Sequence, residues 1–265
     1  MASGSAATSA SSKSSSTSST ESGVRPGHVA ELGRGVEGAR RLGASCAAVV
    51  VVDVLRFTTA VTVGVGRGVT IWPAPWKDPS TAAALAARHG AVLAGFREDG
   101  GLSLSPADLA HAEAGTRLVL PSPNGAACAL AAADEGANVV AACLRNASAV
   151  AHWAAVHPGR VGVVAAGEAS HGGGRRSAWE DDLGAGAVLA KLVALGSQAG
   201  PGVWQAVGEW AVVAHDPSVI HERMMHTPSA AELVERGWID DVAIAAQHDV
   251  TDVVPVLREG AFVAL

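Results

Sequence analysis

The feature that most constrains this chain is the stretch AAVVVVDVLRFTT, Ala47–Thr59. Six apolar residues, Ala47 to Val52, run without polar alternation into Asp53, and Arg56, Thr58 and Thr59 follow at once. A β-branched run of this kind is the pattern of a strand buried on both faces. It is far too short to cross a membrane and too short for an independent helix. A strand buried on both faces needs helices on both sides, and open sheets built that way bind ligands at the carboxyl ends of their strands. A carboxylate and a guanidinium therefore stand where such a fold keeps its chemistry.

The rest of the chain supports that frame. Apolar β-type runs recur at Val49–Val52, Val69–Trp72, Val92–Gly95, Leu118–Leu120, Val139–Ala142 and Val161–Ala165. Helical stretches separate them: Thr58–Gly66, Ser80–His89, Ala107–Ala114, Ala126–Glu135, Ala147–Val156 and Asp182–Leu195. Gly68, Gly90, Gly115 and Gly136 each sit just past a helix, where a left-handed cap is wanted. This rhythm predicts an α/β protein, a three-layer α/β/α sandwich with a largely parallel central sheet. Further on, Val203–Ala214 and Ala230–Arg236 read as helices, and Ile239–Ala246 and Val253–Val256 as closing strands, the second placed at an edge by Pro255. Before the first strand, Ala30, Leu32, Val36, Ala39 and Leu42 fall at roughly helical spacing. Residues 1–23 are Ser, Thr, Ala and Gly with nothing to bury, so they read as a disordered tail, and 24–265 as one domain.

Composition excludes several classes. With 49% hydrophobic and 17% charged residues among 265, the chain fits a well-buried enzyme better than a solvated binding module. Its net charge of −6 and its lack of a basic cluster argue against a nucleic-acid partner. No basic start and hydrophobic core mark a secretory signal, and no run is long enough for a membrane span. Cys46, Cys128 and Cys143 form no CxxC pair, which fits a reducing, cytoplasmic compartment. The absence of Tyr removes phenol-based acid–base chemistry. A chain this apolar is compatible with a homodimer.

Four loops carry polar chemistry, and each has a plainer structural role beside the functional one. Asp53 either caps the next helix or holds a ligand. The second acid that a haloacid-dehalogenase phosphatase needs two residues on is Leu55 here, which closes that route. Arg56 makes either a surface ion pair or an anion contact, and Thr58 and Thr59 at a helix start favour an anion site. In GEASHGGGRRSAWEDD, Gly167–Asp182, the acids Glu180, Asp181 and Asp182 suit a helix dipole. The same carboxylates are hard oxygen ligands, and Glu180 or Asp181 beside Asp53 would collect Mg²⁺ together with a phosphate. Arg175 or Arg176 from that loop would face a substrate anion. Asn124-Gly125 suits a sharp bend, and it also aims an amide and free N–H groups at the sheet edge. Arg97, after a further strand, is a second guanidinium candidate.

Other patterns fail on spacing. HERMMH at His221–His226 puts its second histidine one residue late for a zinc helix. GVGRGV at Gly64–Val69 precedes a strand instead of following one, and HGGG at His171–Gly174 has no GxSxG nucleophile to serve.

Taken together, the loops resemble the 2-phosphosulfolactate phosphatase (ComB) family across about residues 45–265. The resemblance lies in DVLRFTT at Asp53–Thr59, in the Pro123-Asn124-Gly125 turn, and in Glu180-Asp181-Asp182-Leu183-Gly184-Ala185-Gly186. Leu233, Gly237, Asp240, Asp241 and Val254-Pro255 extend it through the tail. Two departures stand out: Phe96 replaces the glutamate of the family's Gly-Glu-Arg element, and the loop ending in Leu104-Ser105-Pro106 is shorter. The resemblance implies a Mg²⁺-dependent α/β/α phosphatase acting on 2-phosphosulfolactate or a similar 2-phospho-hydroxy acid. On that reading Asp53, Glu180 and Asp181 hold Mg²⁺. Arg56 and Asn124 work on the phosphate, and Thr58, Thr59, Arg97, Gly125 and Arg175 bind the substrate. Asp53 is open to either role, nucleophile or metal ligand. The competing expectation is a non-catalytic binder of an anionic metabolite on the same scaffold.

Overall fold

Alternating strands and helices wind one large sheet in the computed structural model, which describes residues 28–169, 175, 176 and 178–265, with Met1, Ala2 and Gly4 besides. Most of the Ser/Thr-rich tail, the glycine-rich loop at 170–174 and the Arg175 side chain lie outside the described residues. In chain order, β1 (Val29–Arg34) leads to α1 (Gly35–Ser45), β2 (Ala48–Val52) to α2 (Phe57–Gly66), and β3 (Thr70–Pro75) to α3 (Pro79–His89). β4 (Val92–Leu93) precedes a 3-10 turn at Arg97–Asp99 and the one-turn α4 (Pro106–Leu109). Next come β5 (Arg117–Ser122), α5 (Gly125–Asp134), β6 (Asn138–Ala142), α6 (Ala147–Ala155) and β7 (Arg160–Ala165). The short arms β8 (Glu168–Ala169) and β9 (Arg175–Arg176) pair with each other ahead of α7 (Trp179–Ala194). β10 (Gln198–Ala199), α8 (Pro201–Val213), α9 (Pro217–Met225), α10 (Pro228–Glu235) and α11 (Ile239–Ala245) follow. The hairpin β11 (Pro255–Arg258) and β12 (Ala261–Ala264) closes the chain.

The sheet order is β10-β1-β7-β2-β6-β11-β12-β3-β5-β4. Two parallel blocks, β10-β1-β7-β2-β6 and β3-β5-β4, are joined through the antiparallel hairpin. β2 lies inside the larger block, in register with β7 and β6 along its whole length. Its valines divide accordingly: Val50 and Val52 join the core under α6, α7 and α8, and Val49 and Val51 the core shared with α1, α2 and α5. This is the two-faced burial that the unbroken apolar run calls for, with helices on both sides of a mostly parallel sheet. The sheet also curls, because α2 and α5 touch strands of both blocks. α3 covers the outer face of the smaller block through Ala82 and Ala86 against Trp72 and Val119.

Local chemistry explains where elements begin and end. Proline opens α3, α4, α8, α9 and α10, where its fixed φ suits the first turn and its missing N–H costs nothing. Asp78, Ser105, Asp216 and Thr227 cap four of these with a side-chain oxygen. Gly68, Gly90 and Gly136 do take the left-handed conformation past helix ends, with φ of 83°, 56° and 91°, whereas Gly115, at 84°, lies in a turn, because the helix expected over Ala107–Ala114 is the single turn of α4 and ends at Leu109.

Four further expectations need correction. The segment read as helical before the first strand divides at Gly35, Val29–Arg34 being a strand and only the remainder a helix. Ile239–Ala246 is helical: Asp240 and Asp241 stand in its first turn, and Val242 and Ala245, three apart, are buried. β11 is interior, lying between β6 and β12; Pro255 is tolerated as its first residue, where no ladder N–H is needed. Helix α9 and strand β12 are additional elements.

Candidate active site

Asp53 is the first residue past β2, and the turn that follows fixes it. Thr58 Oγ1 accepts from the Asp53 N–H at 2.9 Å and donates to the Asp53 carbonyl at 2.8 Å. Thr59 Oγ1 donates to the Val54 carbonyl at 2.7 Å. Both threonines are fully buried, so their hydroxyls clamp the loop that presents Asp53, where the expectation had placed them on the substrate. The Asp53 carboxylate accepts from the Phe57 N–H at 3.2 Å and from the Gly125 N–H at 2.7 Å. Only glycine allows that second approach: a Cβ at position 125 would lie 2.6 Å from Asp53 Oδ2 and 2.4 Å from Phe57 Cδ1. Gly125 therefore acts on Asp53 through its backbone, which is a different task from the substrate contact expected of it.

Helix α7 delivers the other acids. Asp181 accepts from the Val54 N–H at 2.7 Å and the Gly167 N–H at 2.9 Å, tying the helix start to the ends of β2 and β7. Gly184 permits the close seating, since a Cβ there would stand 2.8 Å from Val54 Cγ2 and 2.9 Å from Val52 Cγ1. Glu180 is 1% exposed, and its Oε2 is buried without a hydrogen-bond partner. Asp182 turns away to Arg34, at 2.8 Å. Glu168, just past Gly167, pairs with Arg176 and accepts from Ser229 Oγ at 2.6 Å.

Packing carboxylates this closely is electrostatically costly. Burial, with the charges of Glu180 and Glu168 adding to it, pushes the Asp53 carboxyl from 3.8 up to about 6, against the pull of its two backbone donors. Burial and then the charges of Asp53 and Glu180 push Asp181 well above the usual range. Burial likewise raises Glu180.

The arginines gather on a neighbouring hub. Arg56 donates to Asp241 Oδ2 at 2.7 Å, and Arg97 reaches the same oxygen at 3.3 Å. Arg97 Nε also lies 3.3 Å from Asp108. Both guanidiniums stand over the Trp238 ring, at 5.0 and 5.6 Å from its centroid, and Arg236 at 5.2 Å. Asn124 stands at the N-terminal position of α5 beside Gly125 without a side-chain capping bond, and its Oδ1 is buried without a partner.

A profile of the family described as 2-phosphosulpholactate phosphatase matches residues 38–260 of this chain. The chain belongs to that family. A curated relative from Deinococcus radiodurans, named "Probable 2-phosphosulfolactate phosphatase", is 33% identical over 223 residues, covering 79% of this chain and 87% of the relative. Membership in the 2-phosphosulpholactate phosphatase family makes this chain an enzyme that hydrolyses a phosphomonoester, and the matched span takes in Asp53, Arg56, Arg97, Asn124, Glu180, Asp181 and Asp241. Among the described residues, no helix is long and apolar enough to cross a membrane.

For this member of the phosphosulpholactate phosphatases, the structure brings Asp53, Gly125, Glu180 and Asp181 into one acidic cluster and joins Arg56 to Arg97. The donor set suits Mg²⁺, which favours oxygen ligands and usually takes one or two carboxylates plus substrate phosphate and water. The unpartnered Glu180 Oε2 and the carboxylate charges facing Asp53 are compatible with such a ligand set. Among the described residues, no group of three or more His, Cys, Asp or Glu side chains is placed to hold a metal ion by itself. Sequence reasoning missed Trp238, and it noted Asp241 without giving it a task. An acidic pair behind Trp at a helix start was the available signal, obscured by reading the segment as a strand.

Proposed function

We propose that this enzyme is a Mg²⁺-dependent phosphatase of a small anionic phosphomonoester, 2-phosphosulfolactate or a similar 2-phospho-hydroxy acid. The observation that carries the reading is the buried, unpartnered Glu180 Oε2, whose charge acts on the buried carboxyls of Asp53 and Asp181. Asp53 and one or both of Glu180 and Asp181 would hold the metal. When bound, Mg²⁺ would supply Lewis-acid polarisation of the phosphoryl group and acidify an attacking water. Each Asp53 oxygen accepts one backbone N–H and keeps a lone pair facing elsewhere, so the carboxylate stays fixed while it engages the reacting centre. Arg56 and Arg97 would take phosphate, carboxylate or sulfonate oxygens with their planar forks. Asn124 would contribute its amide from the head of α5.

Release of phosphate from para-nitrophenyl phosphate, with and without Mg²⁺, tests the assignment. Asp53→Asn should abolish the Mg²⁺-stimulated rate; a variant near wild-type activity would sink it. Phe96, 62% exposed where the family pattern has glutamate, favours one second reading, a non-catalytic binder of an anionic metabolite. Thermal stabilisation by phosphorylated hydroxy acids without turnover by the wild type would select that reading.

A further inference from the structure

We propose that Asp241 is a positioning residue of this site, holding Arg56 and Arg97 as one guanidinium pair for the substrate's oxyanion. The proposal deepens the phosphatase reading and rests on it for the identity of that oxyanion. Two guanidiniums repel, yet here both reach a single oxygen, Asp241 Oδ2, at 2.7 and 3.3 Å. Among the described residues, Asp241 is the carboxylate that both cations reach, Asp108 reaching Arg97 alone, so its charge offsets their mutual repulsion. The carboxylate is itself immobilised. It is fully buried, and its other oxygen accepts from Ser105 Oγ at 2.5 Å and from the Ala107 N–H at 3.3 Å. Trp238, three residues earlier at the head of α11, supplies the flat face against which both guanidinium planes rest.

The pair is restrained without being used up. Among the described residues, Arg56 donates one hydrogen bond, to Asp241, out of five N–H groups. Arg97 contacts Asp241 through one nitrogen and Asp108 through another. Both side chains keep some exposure, 15% and 19%, and the further N–H groups of Arg56 make no hydrogen bond to the described residues. A purely structural ion pair has no need to hold a second guanidinium on the same carboxylate oxygen while donors of the first stay unused. An oxyanion with several acceptor atoms is what such a paired fork recognises.

Inorganic phosphate binding by calorimetry and para-nitrophenyl phosphate turnover are measured on the full chain. Asp241→Asn is expected to weaken phosphate binding at least tenfold and raise KM by a similar factor, with a smaller change in kcat. In an Arg56→Ala/Arg97→Ala background the same substitution should change neither quantity further, because Asp241 acts through the arginines. Phosphate binding unchanged in Asp241→Asn, or a loss of equal size in the double-arginine background, would overturn the proposal. Should Asp241→Asn fail to fold, Ser105→Ala carries the test: removing the hydroxyl that fixes the Asp241 carboxylate should weaken phosphate about threefold in the wild-type background and not in the double-arginine one, and no change in either refutes the positioning role. Binding is read independently of turnover, so a wild type that binds phosphate and hydrolyses nothing counts against the phosphatase reading alone.

Discussion

Gly125→Ala puts the close approach at Asp53 to a test in which the general rule and the structure give opposite signs. Position 125 opens α5, its φ is not in the left-handed region, and alanine in a helix normally gains up to about 1 kcal/mol over glycine. Here the added Cβ would meet Phe57 Cδ1 at 2.4 Å, Asp53 Oδ2 at 2.6 Å and Phe57 Cβ at 2.8 Å. Phe57 has no room to retreat, being fully buried and edge-on to Phe262 at 6.1 Å. Overpacking of this kind costs about 1–3 kcal/mol. Moving the Gly125 N–H away from the carboxylate forfeits a charged hydrogen bond, about 1.5–3 kcal/mol. The net expectation, after the alanine gain, is a loss of about 2–5 kcal/mol, or roughly 4–20 °C at 2–4 °C per kcal/mol. Gly208→Ala, in α8 with open space around the new methyl, is the control and should raise the melting temperature by roughly 2–4 °C. Tryptophan fluorescence melts of both variants decide the matter. A Gly125→Ala protein as stable as wild type would refute the reasoning, because it would mean that Asp53 is not held where the geometry puts it.

The acidic cluster also makes stability depend on pH and metal together. Asp53, with its folded pKa raised from 3.8 to about 6, stabilises the fold fully below the unfolded value, and that contribution is lost as pH rises through about 6. Glu180 and Asp181 act in the same direction, whereas His28, its pKa lowered by burial, acts in the opposite one as pH falls below 6.5. The difference in melting temperature with and without Mg²⁺ cancels His28. It should be largest at pH 7.5–8 and shrink as pH falls through about 6, and a pH-independent difference would contradict a carboxylate metal site. Thr58→Val removes the hydroxyl that both accepts from and donates to the Asp53 backbone; it should cost about 1–3 kcal/mol in a urea melt and lower turnover. A variant retaining both wild-type stability and rate would show that the clamp is dispensable.

What could be read from the sequence was what short stretches decide for themselves. The run Ala48–Val52 announced a strand buried on both faces because both faces are covered by helices, and its five residues are all buried. The glycines past helix ends announced their left-handed caps, and Asp53, Asn124, Glu180 and Asp181 announced themselves by standing at strand-to-helix junctions. Misreadings fell where two local patterns compete or where the partner is remote. Ile239–Ala245 holds β-branched residues that favour a strand, and only its burial against neighbouring helices makes it a helix. Asp216-Pro217 is a cap followed by a first-turn proline, enough to start α9, yet the segment carries few buried residues to mark its face. Asp241 shows the sharper limit. Its partners Ser105, Arg97 and Arg56 lie 136, 144 and 185 residues away, so no local window holds its role. Thr58 and Thr59, expected to face the substrate, are seen on backbone groups for a related reason: a buried hydroxyl satisfies the buried N–H and C=O groups beside it, because leaving those unpaired is costly. The residues of a loop therefore show that polar groups gather there, while what each of them contacts is set by which backbone groups the fold has buried.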